Sequence, residues 1–434
     1  MPGSQLDRAR YSVYQMLPPI QLGQKVIEKV VSPSGIPESV RSHFPGTQQG
    51  AYFDVAARGL LPVPSREAVD RYFESLMLHG GDKAEMFQFV ESARAKFAKL
   101  IGAAADDVAI TKNVSEGLNI IATAYPWQSG DKVILCADRE HPNNIYIWQH
   151  LAHRYGIEVV VVPSRNDQIV AEDIIARIDG RTRMVSVSSV SFHPGLHTDM
   201  DALGEACTSH DVLLLVDGVQ SVGISHVDVR RTKIDALAVS TQKGLLGLYG
   251  LGFLYCRRAW AERLEPAYLA RFGVDLGDAH EADGGISTFR LMPGARRFDL
   301  GNYNFTGATA VDKSLDLILD LGTETIERHV RGLTQRMVEG LVEAGLPVVG
   351  APYGAHFANI VTIAPKADDA DFNLRLEKAL SDEKVRLSIR RNALRFSSHC
   401  YNTAQEVDMV IDTVRRFLRL NSTTQSQRTS PAPN

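Results

Sequence analysis

Short aliphatic runs alternate along this chain with longer segments whose apolar residues recur at helical spacing. Leu213-Leu214-Leu215-Val216 stops abruptly at Asp217-Gly218, and Ala238-Val239 stops at Ser240-Thr241-Gln242-Lys243-Gly244. Runs bounded in this way predict buried strands of a parallel sheet. Similar runs predict strands at 108–110, 132–136, 158–162, 184–190 and 252–255. Helical spacing predicts helices at 65–78, 84–101, 115–124, 144–155, 169–178 and 201–209. This rhythm persists to about residue 300 and predicts an α/β fold, with a large domain over 51–305 built on a doubly wound, mostly parallel sheet. The pattern then changes. Helices at 309–321 and 324–344, isolated strands at 358–363, 386–389 and 393–397, and a last helix at 404–420 predict a smaller α+β C-terminal domain over 306–420. Residues 1–50 read as an extended lead-in with one short helix. Residues 421–434, polar and rich in Pro and Ser, read as a disordered tail.

Composition narrows the class without naming it. The chain has 434 residues, 44% hydrophobic and 23% charged, which is globular material for two or three domains. A net charge of −4 and a pI near 6.4 give no reason to expect nucleic acid or a membrane surface as partner. No apolar run approaches the roughly 20 residues of a membrane span, and the first residues lack a signal-peptide core. Cysteines at 136, 207, 256 and 400 form no metal-like pair. The expectation is a cytoplasmic enzyme or binding protein with no metal.

In open α/β sheets the ligand crevice lies just past the carboxyl ends of the strands. One such end presents Asp217 and another Lys243. Pyridoxal 5′-phosphate calls for this pair, a lysine to hold its aldehyde as a Schiff base and a carboxylate against the pyridine nitrogen. Its phosphate needs amides, hydroxyls and a helix N-terminus. Ser115, where a strand gives way to a helix, offers that, although a serine there also serves as a plain cap. Ser240, Gln242 and Asn302 are further donors. His141, on a loop after the strand ending at Cys136, can cover the ring and exchange protons, or be an ordinary surface histidine. A substrate carboxylate calls for a guanidinium. Arg395 lies in the alternating segment Ala393-Leu394-Arg395-Phe396-Ser397, opposite in face to its apolar neighbours, with Arg390 and Arg391 as rivals.

Several motifs follow one another in a telling order: Tyr52-Phe53-Asp54-Val55-Ala56-Ala57, Ser115-Glu116-Gly117-Leu118-Asn119, Glu140-His141 with Asn144, Val216-Asp217-Gly218-Val219-Gln220-Ser221, Ser240-Thr241-Gln242-Lys243, and Arg395 followed by His399-Cys400-Tyr401-Asn402-Thr403. From about residue 52 to 420 the chain resembles the class V aminotransferase family, in the branch of cysteine desulfurases and isopenicillin N epimerase. The resemblance implies a fold-type I pyridoxal-phosphate enzyme. Lys243 would carry the cofactor, Asp217 would contact its ring nitrogen, Gln220 its phenolic oxygen, and His141 would stack on the ring. Val114 (through its backbone), Ser115, Ser240 and Gln242 would hold the phosphate, and Arg395 the substrate carboxylate. Family members are homodimers with sites at the interface, and Asn302 falls where the partner subunit contributes.

The departures from the family pattern carry equal weight. No cysteine stands between Leu380 and Arg395, where desulfurases of this branch keep their nucleophile, and Cys400 follows the arginine. Gln242 replaces the usual histidine, Val55 a polar residue, and Phe192 the asparagine that desulfurases place near the ring and substrate. The expected activity is therefore β-elimination, a C–S lyase acting on an L-α-amino acid or amino-acid conjugate. An aminotransferase is the alternative, followed by an epimerase or decarboxylating deaminase. A cofactor-less relative is the reading from another class, and the presence of Lys243 and Asp217 counts against it.

Overall fold

A computed structural model describes residues 36–276 and 289–428, with backbone alone for 422–428. Two 3-10 turns, Glu38–His43 and Pro45–Gln48, lead into β1 (Ala51–Tyr52). Then follow α1 (Val63–His79), α2 (Lys83–Leu100), β2 (Val108–Thr111), α3 (Val114–Ala124), β3 (Lys132–Leu135), α4 (Asn143–Tyr155), β4 (Glu158–Val161), α5 (Ala171–Ile175), β5 (Thr182–Ser188) and α6 (Met200–Ser209). After β6 (Leu213–Asp217), β7 (Ala236–Ser240) and β8 (Gly252–Cys256) come α7 (Arg258–Ala261), β9 (Val274–Asp275) and β10 (Arg290–Leu291). The C-terminal elements are α8 (Phe305–Leu321), α9 (Thr323–Glu343), β11 (Ile360–Ile363), α10 (Phe372–Asp382), β12 (Val385–Arg386), β13 (Ser388–Arg390), β14 (Ala393–Ser397) and α11 (Ala404–Arg428).

Seven strands form the main sheet in the order β2-β8-β7-β6-β5-β3-β4. β8 runs antiparallel to both neighbours and every other pairing is parallel. Alternation along the buried strands loads both faces. Leu214, Val216, Leu237, Val239 and Phe253 enter one apolar cluster, where Phe97 of α2 stacks on Phe253 at 4.3 Å. Leu213, Leu215, Ala236, Ala238 and Leu254 enter the other, with Leu118 of α3 and Trp148 of α4. Each large side chain so buried contributes about 1.5–3 kcal/mol, which fixes the strand register at the site. A three-stranded antiparallel sheet, β11-β14-β13, packs Leu394 and Phe396 against Leu333, Leu376 and Val410 in a third cluster. Arg395 takes the opposite face.

Some boundaries differ from the pattern. The helix expected at 169–178 shrinks to α5 because Arg177 and Ile178 bond three residues back, to Ile174 and Ile175, and tighten out of the α-helix. The strand expected at 184–190 lies at Thr182–Ser188, with Val190 reduced to a single bridge to His197. The strand expected at 386–389 divides, because β12 pairs with β1 and β13 with β14. The lead-in contributes two 3-10 turns after residue 36, and its first 35 residues lie outside the described ones. The last helix runs through the polar stretch after Leu420 to Arg428, since neither Gly nor Pro interrupts it before Pro431. Among the described residues no helix is long and apolar enough to cross a membrane.

Candidate active site

Strand register sets Ser188, Asp217 and Ala238 abreast, so the carboxyl ends of β5, β6 and β7 open onto one crevice. Lys243 lies three residues past Ser240, the last of β7, in a turn clamped on several sides. Gln242 O accepts from Gly59 N–H at 2.8 Å, and Gly244 O faces His399 Nε2 at 2.9 Å. A Cβ on Gly244 would meet Val222 O at 2.4 Å, so only glycine lets the turn sit this close. Loss of hydration pulls the Lys243 ammonium down to about 8, opposed by the charge of Asp217 and reinforced by Arg395 and Arg390.

Asp217 is buried and held at both oxygens. Oδ1 accepts from Val219 N–H at 2.9 Å and Oδ2 from Asn144 Nδ2 at 2.9 Å. The same nitrogen reaches Glu140 Oε2 at 2.7 Å. Glu140 is fully buried and also accepts from Ser188, through N–H at 2.6 Å and Oγ at 2.5 Å. Burial pushes its carboxyl up to about 7, against the pull of Ser188 and Asn144 and with help from Asp217.

The N-terminus of α3 faces the same crevice. Asn113, not Ser115, caps it by accepting from Glu116 N–H at 2.9 Å, since the helix begins one residue earlier than the pattern placed it. Ser115 is thereby released from capping, and its Oγ accepts from Asn143 Nδ2 at 2.7 Å. Val114 N–H donates to Ser240 Oγ at 2.8 Å. α3 comes this near because Gly117 packs on β7, where a Cβ would meet that of Ala238 at 2.8 Å. Val114, Ser115 and Ser240 thus converge at a helix N-terminus, with Gln242 half-buried beside Lys243. Asn302 is not brought to them. It sits exposed at φ +45°, beside Lys112 and Glu116 in a separate surface cavity.

On the other side, the His141 ring meets Phe192 edge-on at 5.3 Å. Burial and the nearby Lys243 charge hold this imidazole below its usual range. Arg395 is 2% exposed, and donates from Nη1 to Phe192 O at 2.8 Å and from Nε to Ser388 Oγ at 3.2 Å. Burial lowers its guanidinium to about 10. Asp54 lies near enough to Arg395 and Arg390 to feel both charges, yet burial keeps its carboxyl above the usual range. Arg390 and Arg391 are exposed. Gln220 donates from Nε2 to Ala56 O at 3.1 Å, leaving Oε1 buried with no partner among the described residues. All four cysteines are buried, and desolvation raises the Cys400 thiol to about 12.

Pyridoxal phosphate fits this donor set. An ionisable amine, a held carboxylate, a helix N-terminus and the orphaned Gln220 oxygen surround one crevice. Sequence reasoning assigns no role to Glu140, Ser188, Asn143 or Asp54. Glu140 and Asn144 stand in a telling motif, but only the fold shows that Asn144 joins Glu140 to Asp217.

Residues 51–410 match the model of the class-V aminotransferase family, and the chain belongs to it. It is 31% identical to an uncharacterized aminotransferase of Bacillus subtilis, over 87% of this chain and 97% of that protein. It is 29% identical to a probable cysteine desulfurase of Pyrococcus abyssi, over 88% and 98%. Among solved structures, the cysteine desulfurase of Thermococcus onnurineus superposes with a TM-score of 0.76 at 26% identity, covering 88% of this chain and 98% of that one. A cystine C–S lyase shares the fold at a TM-score of 0.77 and 22% identity, covering 86% and 99%. The fold is therefore fold-type I, and the cofactor of the family is pyridoxal phosphate.

Proposed function

We propose that the protein is a β-eliminating C–S lyase acting on an L-α-amino acid or amino-acid conjugate. When bound, pyridoxal phosphate supplies a ring that withdraws the electrons released at the substrate Cα. Lys243 Nζ anchors the cofactor and, as the base, takes the Cα proton. A value near 8 leaves part of the amine neutral at physiological pH. Asp217 keeps a proton on the ring nitrogen, Gln220 meets the phenolic oxygen and His141 covers the ring face. Val114 (through its backbone), Ser115, Ser240 and Gln242 hold the phosphate, where the helix dipole favours a dianion. Arg395 grips the substrate carboxylate against Phe192. The protein is a homodimer in this reading, and Asn302 completes the partner's site rather than its own.

In the elimination itself the Cα–H electrons form the new C–C double bond and the C–S pair leaves with sulfur. The sulfur takes up a proton and departs as thiol, and hydrolysis of the remaining unsaturated amino acid gives ammonia and a keto acid. The observation that carries this choice is the state of the thiols. All four are buried, and the residue at the tip of the β13–β14 hairpin is Arg391. Sulfur transfer to an enzyme cysteine therefore has no accessible acceptor, whereas direct release of thiol needs none. The name of the Bacillus subtilis relative favours an aminotransferase as the second reading. Measuring thiol and ammonia from a cysteine S-conjugate, with no keto acid added, separates the two.

A further inference from the structure

The β13–β14 hairpin places two arginines at the mouth of the crevice. Arg390 pairs with Ala393 across it, and the two residues between, Arg391 and Asn392, both adopt left-handed backbone at φ +51° and +62°. This is the geometry of a two-residue type I′ turn, which normally favours Asn or Gly at both positions. The turn is tied down through Asn392, which donates from Nδ2 to Ala370 O at 3.2 Å and accepts at O from Asn373 Nδ2 at 2.9 Å. Arg391 is therefore held on a rigid support in a conformation its side chain does not favour.

Its guanidinium has a defined place. The carbon centre lies 5.4 Å from the centroid of the Phe192 ring, within cation–π range, and Nη1 donates to Asp138 O at 3.2 Å. The other side of the relationship runs inward, since the Phe192 ring meets His141 and the Phe192 carbonyl holds Arg395. One wall thus carries a buried guanidinium at its foot and an exposed one at its rim. Arg390, on the same hairpin, is close enough to act electrostatically on Lys243, Arg395 and Asp54. Among the described residues neither Arg390 nor Arg391 forms an ion pair, in contrast to Arg139, Arg165, Arg375 and Arg416 elsewhere on the surface. Positive charge that no ion pair engages, set at the rim of a pocket, steers and holds anions.

We infer that Arg391, assisted by Arg390, binds a second anionic group, so that the substrate is an amino acid whose side chain or sulfur substituent ends in a carboxylate. Arg395 takes the α-carboxylate and the hairpin tip takes the distal one, with the intervening carbon chain lying along Phe192. This inference rests on the reading of Arg395 as the α-carboxylate site, but not on the reaction that follows.

The test uses ligands with no leaving group and no amine, so its result is the same whether the holoenzyme is a lyase or an aminotransferase. Isothermal titration of the holoenzyme with glutarate and with glutaramate, its monoamide, compares two and one negative charges on nearly the same shape. Glutarate is expected to bind about tenfold more tightly. Arg391→Asn keeps a residue suited to the turn while removing the guanidinium, and is expected to bring glutarate to the glutaramate value. Arg395→Ala is expected to weaken both ligands. Equal affinity of the wild-type protein for the two, binding of neither, or a preference that survives in both Arg391→Asn and Arg390→Ala would overturn the inference.

Discussion

Glu140 and Asp217 share one donor: Asn144 Nδ2 lies 2.7 Å from the first and 2.9 Å from the second. Two carboxyls buried this close together are easier to accommodate if one of them is neutral. Glu140 is the one that burial drives upward, from an ordinary 4.5 to about 7, with the charge of Asp217 adding to the push. The folded state therefore binds the Glu140 proton more tightly than the unfolded chain does. Its stabilising effect is complete below pH 4.5 and is lost as pH rises through about 7, a change on the order of 3 kcal/mol. Glu140→Gln is neutral at every pH, so its melting temperature should gain on the wild type steadily between those limits. Parallel melting curves across that window would show that Glu140 does not titrate there.

Lys243 is expected to be the site of cofactor attachment. Borohydride treatment of the yellow holoenzyme should bleach its visible band and leave a reduced pyridoxyl group on the peptide containing Lys243. Because the amine must be neutral to attack the cofactor aldehyde, reloading of the apoprotein should accelerate as pH rises through about 8, following the depressed value of this lysine. Lys243→Ala should lose the covalent link and nearly all turnover. Label on a different lysine would remove the assignment.

Much of this crevice is legible in the chain, because the abrupt ends of two buried strands place Asp217 and Lys243 on one rim. Strand alternation likewise sets Arg395 opposite Leu394 and Phe396. The helix N-terminus at the crevice is half legible. Ser115 is plainly near a helix start, but the cap falls to Asn113, and a one-residue shift of this kind reverses which side chain is free. Contacts between residues far apart in sequence leave no periodic trace. Glu140 meets Ser188 across 48 positions and Gln220 meets Ala56 across 164, and only packing reveals them. The Arg391 turn is hidden for a different reason, since arginine is not a residue that signals left-handed backbone.

Asp217→Asn should still take up cofactor, because Val219 N–H and the other contacts remain, but should turn over far more slowly. A neutral amide cannot keep the ring nitrogen protonated, and a charged hydrogen bond of this type is worth roughly 1.5–3 kcal/mol. The introduced amide would also face Asn144 with one donor too many for the shared site. Wild-type turnover in this variant would refute the role given to Asp217.

Arg395→Ala should raise the half-saturating substrate concentration with little effect on cofactor content. The guanidinium keeps its charge at neutral pH even at about 10. Removing one partner of a buried, hydrogen-bonded charge pair costs about 2–5 kcal/mol. Arg391→Asn, on the rim, should cost less and only for substrates with a distal carboxylate. An unchanged requirement in Arg395→Ala would pass the α-carboxylate to one of the hairpin arginines.

The reaction class is tested by what the enzyme does without a second substrate. A β-eliminating lyase restores its own cofactor on each cycle, so a cysteine S-conjugate should yield thiol, ammonia and keto acid in equal amounts over many turnovers. An aminotransferase would stop after one equivalent, with the amino group retained on the cofactor, until a keto acid was added. An epimerase would exchange the Cα proton with solvent and release no ammonia. The four buried thiols, with Cys400 raised to about 12, make persulfide accumulation on the enzyme an unexpected outcome, and thiol-directed labelling of the native protein should be slow. Sustained, acceptor-free release of thiol is the expected result. Strict dependence on an added keto acid would establish the aminotransferase reading instead, with the family, the cofactor and the place of Lys243 unaffected.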